Sequence, residues 1–226
     1  KRYYRRFDMI LCQSAYMKQD LVHNYNLPEN KTFILHNASE IRSTGRMISP
    51  GNNQAGVCKF ITVARLSEEK GIERLIHAVG LLSVSFKFYI IGEGGRRGYL
   101  QNLINELHLQ ENIFLMGEKP EPFAGMEDAD FFLMGSYYEG FPNALQEAGM
   151  LGIPVIAFNA PGGIAEIITE GENGILVDDN DILDFAAAIK RGLSFDFNRD
   201  KIIETTQKRF SVNAMLLKLE DLLRSL

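Results

Sequence analysis

Short apolar runs alternate with helix-spaced segments along this chain from Lys59 onward, and that alternation restricts its fold more than any other feature. Strand candidates lie at Lys59 to Ala64, Lys87 to Gly92, Asn112 to Met116, Phe131 to Met134, Pro154 to Phe158 and Ile175 to Val177. Helices fit at Ile72 to Leu82, Gly98 to Leu107, Phe123 to Glu127, Asn143 to Leu151, Ile164 to Thr169 and Asp181 to Leu193. The pattern predicts an α/β fold, a doubly wound parallel sheet with helices on both faces. Ligands of such sheets sit beyond the carboxyl ends of the strands, so a site should form from the loops after Ala64, Gly92, Met116, Met134 and Phe158. The tail from Arg199 to Leu226, with Leu216, Leu219, Leu222, Leu223 and Leu226 at helical spacing, predicts one or two terminal amphipathic helices.

Upstream lies a smaller unit. It has a strand candidate at Asp8 to Ser14, a helical pattern around Ala15 to Tyr25, a turn at Leu27-Pro28, and a second strand candidate, Thr32 to Leu35, ending in His36-Asn37-Ala38. Ser39 to Gly56 is rich in Ser, Gly and Asn with little periodicity, as a linker should be. The chain opens on Lys1-Arg-Tyr-Tyr-Arg-Arg6 without a Met and reads as a piece of a larger protein. That basic cluster, with Tyr3, Tyr4 and Phe7, reads as a helix end left exposed or as a contact for an anionic membrane. The expected division is residues 1–38, a linker over 39–56, a Rossmann-like domain over 57–198 and terminal helices over 199–226.

A chain of 226 residues with 46% hydrophobic content can bury one substantial core. The net charge of -5 argues against a general nucleic-acid binder, which would carry a basic excess. Cys12 and Cys58 each lie in a strand-like apolar run, which favours buried thiols in a reducing compartment over a disulfide. No metal-ligand spacing links the two Cys and four His, and no cofactor is expected. No apolar run approaches the roughly 20 residues that span a bilayer, so a cytoplasmic protein is expected.

Glu139-Gly-Phe-Pro-Asn-Ala-Leu-Gln-Glu147 places two carboxylates around the start of a helix. Pro142 suits a first helical turn, so the helix should open near Phe141. Glu147 shares a largely apolar face with Ala144, Ala148 and Leu151. A carboxylate there is costly unless something binds it, and a ribose diol, a salt bridge or a partly solvated helix edge would each serve. Arg65 and Lys70 follow the first strand of the sheet, where an NAD-binding fold would carry its glycine turn. Two cations there could neutralise a diphosphate, or form a solvated cluster with Glu68 and Glu69. Gly92-Glu-Gly94-Gly95 could admit a phosphate or sugar, and is also an ordinary tight turn. Two acidic groupings are set aside. Asp128-Ala-Asp130 imitates a metal motif but precedes a strand, at the wrong end of the sheet, and Asp178-Asp-Asn-Asp181 stands where a helix wants an N-cap. His23, His36, His77 and His108 read as structural, with His36 near the linker the least settled.

The Glu-x7-Glu stretch is followed by Gly152-Ile-Pro-Val-Ile-Ala-Phe158 and accompanied by Val63-Ala-Arg-Leu-Ser-Glu-Glu-Lys-Gly71, Tyr89-Ile-Ile-Gly-Glu-Gly94, Ile113-Phe-Leu-Met-Gly117 and Gly162-Gly-Ile-Ala-Glu-Ile-Ile168, with Gly174-Ile-Leu-Val177 after it. In this set the chain resembles the family-4 glycosyltransferases, retaining enzymes of the GT-B fold, over nearly all of Lys59 to Leu226. The resemblance implies that the segment before the linker is the end of an N-terminal, acceptor-binding domain, and that the rest is the donor-binding half. It implies that Arg65 and Lys70 stabilise a departing nucleoside diphosphate, that Glu139 meets the hydroxyls of the transferred sugar and that Glu147 holds the ribose. Gly92, Gly94, Gly140, Phe141, Asn143, Ala144 and Leu145 would offer backbone to the donor, and Gly117, Glu118 and Lys119 would lie near the base. Family members often have Gly at the place of Pro142, whose missing N–H removes one backbone contact. The expected function is metal-independent transfer from a nucleoside-diphosphate sugar, a UDP-sugar, to a glycan or lipid-linked acceptor, with a peripheral membrane contact for the full-length protein. A non-catalytic nucleotide- or glycan-binding module and a sugar-nucleotide epimerase are the alternatives.

Overall fold

The computed structural model describes residues 3–40 and 56–225, so most of the expected linker, the first two residues of the basic cluster and Leu226 lie outside the described residues. The N-terminal unit consists of β1 (Ile10–Cys12), α1 (Ala15–His23) and β2 (Thr32–Ile34), with the two strands paired in parallel. Ser14 caps α1 by accepting from the Met17 N–H at 3.1 Å. The larger unit runs β3 (Cys58–Val63), α2 (Ile72–Gly80), β4 (Phe86–Ile91), α3 (Arg97–Glu106), β5 (Ile113–Gly117), β6 (Phe131–Met134), α4 (Asn143–Met150), β7 (Val155–Phe158), α5 (Ile164–Ile167), β8 (Gly174–Val177) and α6 (Ile182–Leu193). Two helices, α7 (Arg199–Phe210) and α8 (Val212–Arg224), follow.

The six-stranded sheet is wholly parallel in the order β5-β4-β3-β6-β7-β8. Strand side chains alternate between faces, and here both faces are apolar, so each is covered by helices. Phe60, Phe88, Leu133 and Ile156 pack one face against Leu75 and Ile76 of α2, Ile104 of α3 and Phe185 of α6. Ile61, Ile91, Phe132 and Ala157 pack the other against Leu145 of α4, Ile164 of α5 and Phe210 of α7. The doubly wound sheet expected from the alternation is therefore present. The chain first builds outward from β3 to β5, then returns to place β6 on the other side of β3. The carboxyl ends of β3 and β6 consequently flank the topological switch point, the crevice where ligands of such sheets bind.

Three local expectations need correction. Phe123 to Glu127 forms turns, not a helix, because Gly125 sits inside it in the left-handed region at φ 76°. Helix α4 starts at Asn143, as expected, but Pro142 is its N-cap and lies outside its first turn, with an extended ψ of 110°; the buried Phe141 ring before it stacks on His36 and meets Phe210 edge-on. Cys58 is only half-buried, although Cys12 is fully buried; both thiols are free. Among the described residues no helix is long and apolar enough to cross a membrane.

Candidate active site at the switch point

Two loops meet where β3 and β6 end. After β3 the chain makes a short 3-10 turn over Glu68–Lys70, which aims Lys70 back across the sheet. After β6 it runs through Ser136, Tyr137 and Tyr138 to Glu139. The Lys70 Nζ donates to Glu139 Oε1 at 2.7 Å, and the Ser136 Oγ donates to the same oxygen at 2.6 Å. Both members of the ion pair are largely withdrawn from water, with side-chain exposures of 19% and 11%. Such a pair gains more from mutual attraction than an exposed one does. The Glu139 backbone is fixed as well: its N–H donates to the Pro161 carbonyl at 3.0 Å and its carbonyl accepts from Gly163 N at 3.3 Å.

Helix α4 starts four residues later and points its amino end toward this crevice. Its first amides lack intrahelical acceptors and carry the positive end of the helix dipole. The Leu145 N–H is already used, donating to the Pro142 carbonyl at 3.2 Å, which leaves Asn143 and Ala144 as the donors of that end. One turn further, Glu147 is half-buried, and desolvation alone pushes its carboxyl above the ordinary carboxylate range. It has no hydrogen-bond or ion-pair partner among the described residues. Of the three outcomes open for that position, the salt bridge is absent.

Arg65 is not drawn into the pair. Its guanidinium lies on Glu69 at 3.1 Å and is 75% exposed. Gly92 and Gly94 bring the loop after β4 against the loop after β3: a Cβ on Gly92 would lie 1.9 Å from the Ala64 carbonyl oxygen, and one on Gly94 would lie 2.4 Å from that of Leu66. The Leu66 N–H donates to Glu93 O at 2.9 Å and Gly92 N donates to Gly117 O at 2.9 Å. These glycines thus admit neighbouring backbone. Glu118 and Lys119 follow β5 on the same edge and are exposed. Gly140 faces the N-terminal unit, since a Cβ there would lie 3.1 Å from Gln13 Oε1.

The aspartates set aside occupy other places. Asp130 accepts from Lys59 N at 2.7 Å and Asp128 pairs with the Lys59 ammonium, at the amino ends of β3 and β6. Asp181 caps α6 by accepting from Asp184 N at 2.8 Å.

Three groups at this edge carry structure that the sequence reading did not assign. Ser136 was visible only as the residue three places before Glu139. Glu166 on α5 accepts from Ala15 N at 2.7 Å and from His36 Nε2 at 3.0 Å, tying the N-terminal unit to the sheet. His36 in turn stacks on Phe141 with ring centroids 4.5 Å apart, and burial pulls its pKa down despite the Glu166 carboxylate. Asn37 donates to the Asn143 side chain at 3.0 Å, at the start of α4. The third group, Arg74, gave no signal because it sits within an ordinary amphipathic helix.

A parallel sheet of this order, with a withdrawn ion pair at its switch point, is a Rossmann-like ligand-binding domain of the kind that forms half of a GT-B protein. The chain belongs to the family of glycosyl transferases group 1, whose model matches residues 49–209. It is similar to the N-acetylgalactosamine-N,N'-diacetylbacillosaminyl-diphospho-undecaprenol 4-alpha-N-acetylgalactosaminyltransferase of Campylobacter jejuni, at 31% identity over 93% of this chain and 56% of the relative. A putative colanic acid biosynthesis glycosyltransferase, WcaL of Salmonella typhimurium, is 38% identical over 58% of this chain and 35% of its own. The chain thus spans about half the length of the first of these relatives. Among solved structures, Anabaena HepE in complex with UDP superposes with a TM-score of 0.87 at 22% identity, covering 98% of this chain and 65% of that one.

Proposed function

We propose that this chain is the donor-binding part of a family-4, retaining glycosyltransferase. It takes a UDP-sugar and transfers the sugar, without a metal ion, to a glycan or lipid-linked acceptor held mainly by a preceding domain. The observation that carries this reading is the Lys70–Glu139 contact at the switch point, facing the amino end of α4 and the unpaired Glu147. Acceptors of this class and UDP appear in the names of the relative from Campylobacter jejuni and of HepE.

In this reading the Glu147 carboxylate accepts from the ribose hydroxyls, which supply the donors it lacks in the protein. The β-phosphate lies at the Asn143 and Ala144 amides and within reach of Lys70, where a helix amino end and an ammonium suit an anion. Glu139 accepts from hydroxyls of the transferred sugar. When the bond from the sugar to the β-phosphate oxygen breaks, its electron pair leaves with the diphosphate, and Lys70 with the Asn143 and Ala144 amides stabilises the growing negative charge. The acceptor hydroxyl oxygen bonds the anomeric carbon, and its proton passes to the departing phosphate oxygen. Arg65, exposed beside Glu69, would approach the diphosphate only by releasing that partner. Residues 57–198 form the donor domain, and residues 1–38 the end of the acceptor domain.

Calorimetric titration with UDP, GDP and ADP tests the reading, repeated on Glu147→Ala. Selective UDP binding, weakened about tenfold by the substitution, is expected for loss of a hydrogen-bonded carboxylate contact. A folded chain that binds none of the three, or a variant that binds UDP as well as the parent does, would remove the donor-site assignment.

A further inference from the structure

Arg74 is the one fully buried charged residue among the described residues, 2% exposed. Its guanidinium carbon lies over the Tyr137 ring, 4.1 Å from the centroid, and over the Phe158 ring, 3.9 Å from the centroid. Nε donates to the Gly135 carbonyl, one Nη donates to the Ser136 carbonyl, and the other donates to Asp179 Oδ1 at 2.7 Å and Asn180 Oδ1 at 3.2 Å. These contacts join three segments. One is α2 itself, which follows Lys70 directly. The second is the strand end that leads through Ser136 to Glu139, and the third is the turn after β8.

The two site loops also touch without side chains. A Cβ on Gly71 would lie 2.0 Å from the Gly135 carbonyl oxygen, and one on Gly135 would lie 2.4 Å from that of Gly71. Tyr137 N donates to Glu69 O at 2.9 Å. Arg74 therefore grips the carbonyl of Gly135, where one loop presses on the other, and that of Ser136 beside it. Burying a guanidinium is weak evidence for stability, since a packed apolar residue often serves as well. What the planar, multi-donor head adds is direction, because it fixes two successive carbonyls and with them the path to Ser136 Oγ.

We propose that Arg74 is a positioning residue for the site: through the Gly135 and Ser136 carbonyls it sets the Ser136–Glu139–Lys70 contact. The inference deepens the donor-site reading and rests on it only for the nucleotide arm of the test.

The test compares two lysines of matched exposure, Lys70 at 19% and Lys59 at 18%, in the same chain. Trace acetylation read by mass spectrometry reports how firmly each ammonium is held, and calorimetry with UDP reports the site. Arg74→Met adds no amine and keeps a long apolar stem between the rings, while Asp179, 30% exposed, can hydrate. With a cooperative thermal melt retained, Lys70 should label about tenfold faster, Lys59 should be unchanged, and UDP affinity should fall about tenfold, the scale on which small misplacements act. Equal changes at both lysines would indicate a merely structural role and overturn the proposal, as would unchanged Lys70 labelling. Should Arg74→Met fail to fold, Asp179→Ala keeps the carbonyl grip but frees one end of the head. A selective rise at Lys70 of about threefold supports the proposal there, and none overturns it. Faster Lys70 labelling in a chain whose parent does not bind UDP supports the positioning role and counts against the nucleotide reading.

Discussion

Strands β3 and β6 carry a lysine–carboxylate pair at each end, and only one of the two ends has the surroundings of a site. At the amino ends, Lys59 pairs with Asp128, its ammonium also donates to the Gly125 carbonyl at 2.9 Å, and its N–H donates to Asp130. Every polar group named there has a protein partner. At the carboxyl ends, Lys70 and Glu139 are joined by Ser136 and precede the amino end of α4, which carries, one turn along it, Glu147, a carboxylate with no partner among the described residues. The ion pair itself does not distinguish the two. Parallel strands put helix amino ends beside their carboxyl ends and helix carboxyl ends beside their amino ends, so only one edge of the sheet is arranged to receive an anion.

The contrast would break most directly if the two lysines behaved alike toward a nucleotide. Lys70→Ala is expected to weaken UDP binding about a hundredfold, roughly 2.7 kcal/mol, with uridine binding changed less than about threefold. Calorimetry with both ligands reads the difference, and equal losses for UDP and uridine would end the diphosphate role. Glu166→Ala sharpens a different part of the comparison, because this carboxylate of the same edge is spent on structure. Losing it strands the Ala15 N–H and the His36 ring, and a cost of about 1–3 kcal/mol in chemical denaturation is expected. Lys59→Ala should cost about 1 kcal/mol of stability and leave UDP affinity where it was. A loss of UDP binding there would show that the amino ends of the strands serve the ligand.

How far the sequence reaches differs between backbone and side chains. Apolar runs such as Phe131 to Met134 are buried on both faces, so their period and length alone mark parallel strands, and the strands of the sheet were legible to within one residue at each end. Phe123 to Glu127 was misread because helical spacing of apolar residues says nothing of the glycine, Gly125, within it. In the site, Lys70 and Glu139 were legible as chemistry, but their contact is made across 69 positions and depends on strand order, which pattern does not give. For Arg65 the sequence offered a diphosphate or a solvated cluster with Glu68 and Glu69, and its guanidinium lies on Glu69. Arg74 was invisible, since one arginine in an amphipathic helix normally faces water.

The smallest effect expected separates a carboxylate without a partner among the described residues from one held by the protein. Glu147 and Asp130 both have carboxyl pKa values raised by burial. For Asp130 the Lys59 N–H and the cations Arg199 and Lys59 oppose the rise, whereas nothing opposes it for Glu147. A carboxyl whose folded pKa lies above its unfolded value costs stability as pH rises through that unfolded value, ordinarily 4.5, and the full cost is present above the folded value. Glu147→Gln removes this cost. Without ligand the variant should melt higher than the parent at pH 7, by about 2 °C, and the gap should close below about pH 4. Asp130→Asn should show no such gain, because the Lys59 N–H loses a charged acceptor. A Glu147→Gln chain that melts lower at pH 7 would mean that the carboxylate stabilises the fold, and the two ends of the sheet would then differ less than their geometry indicates.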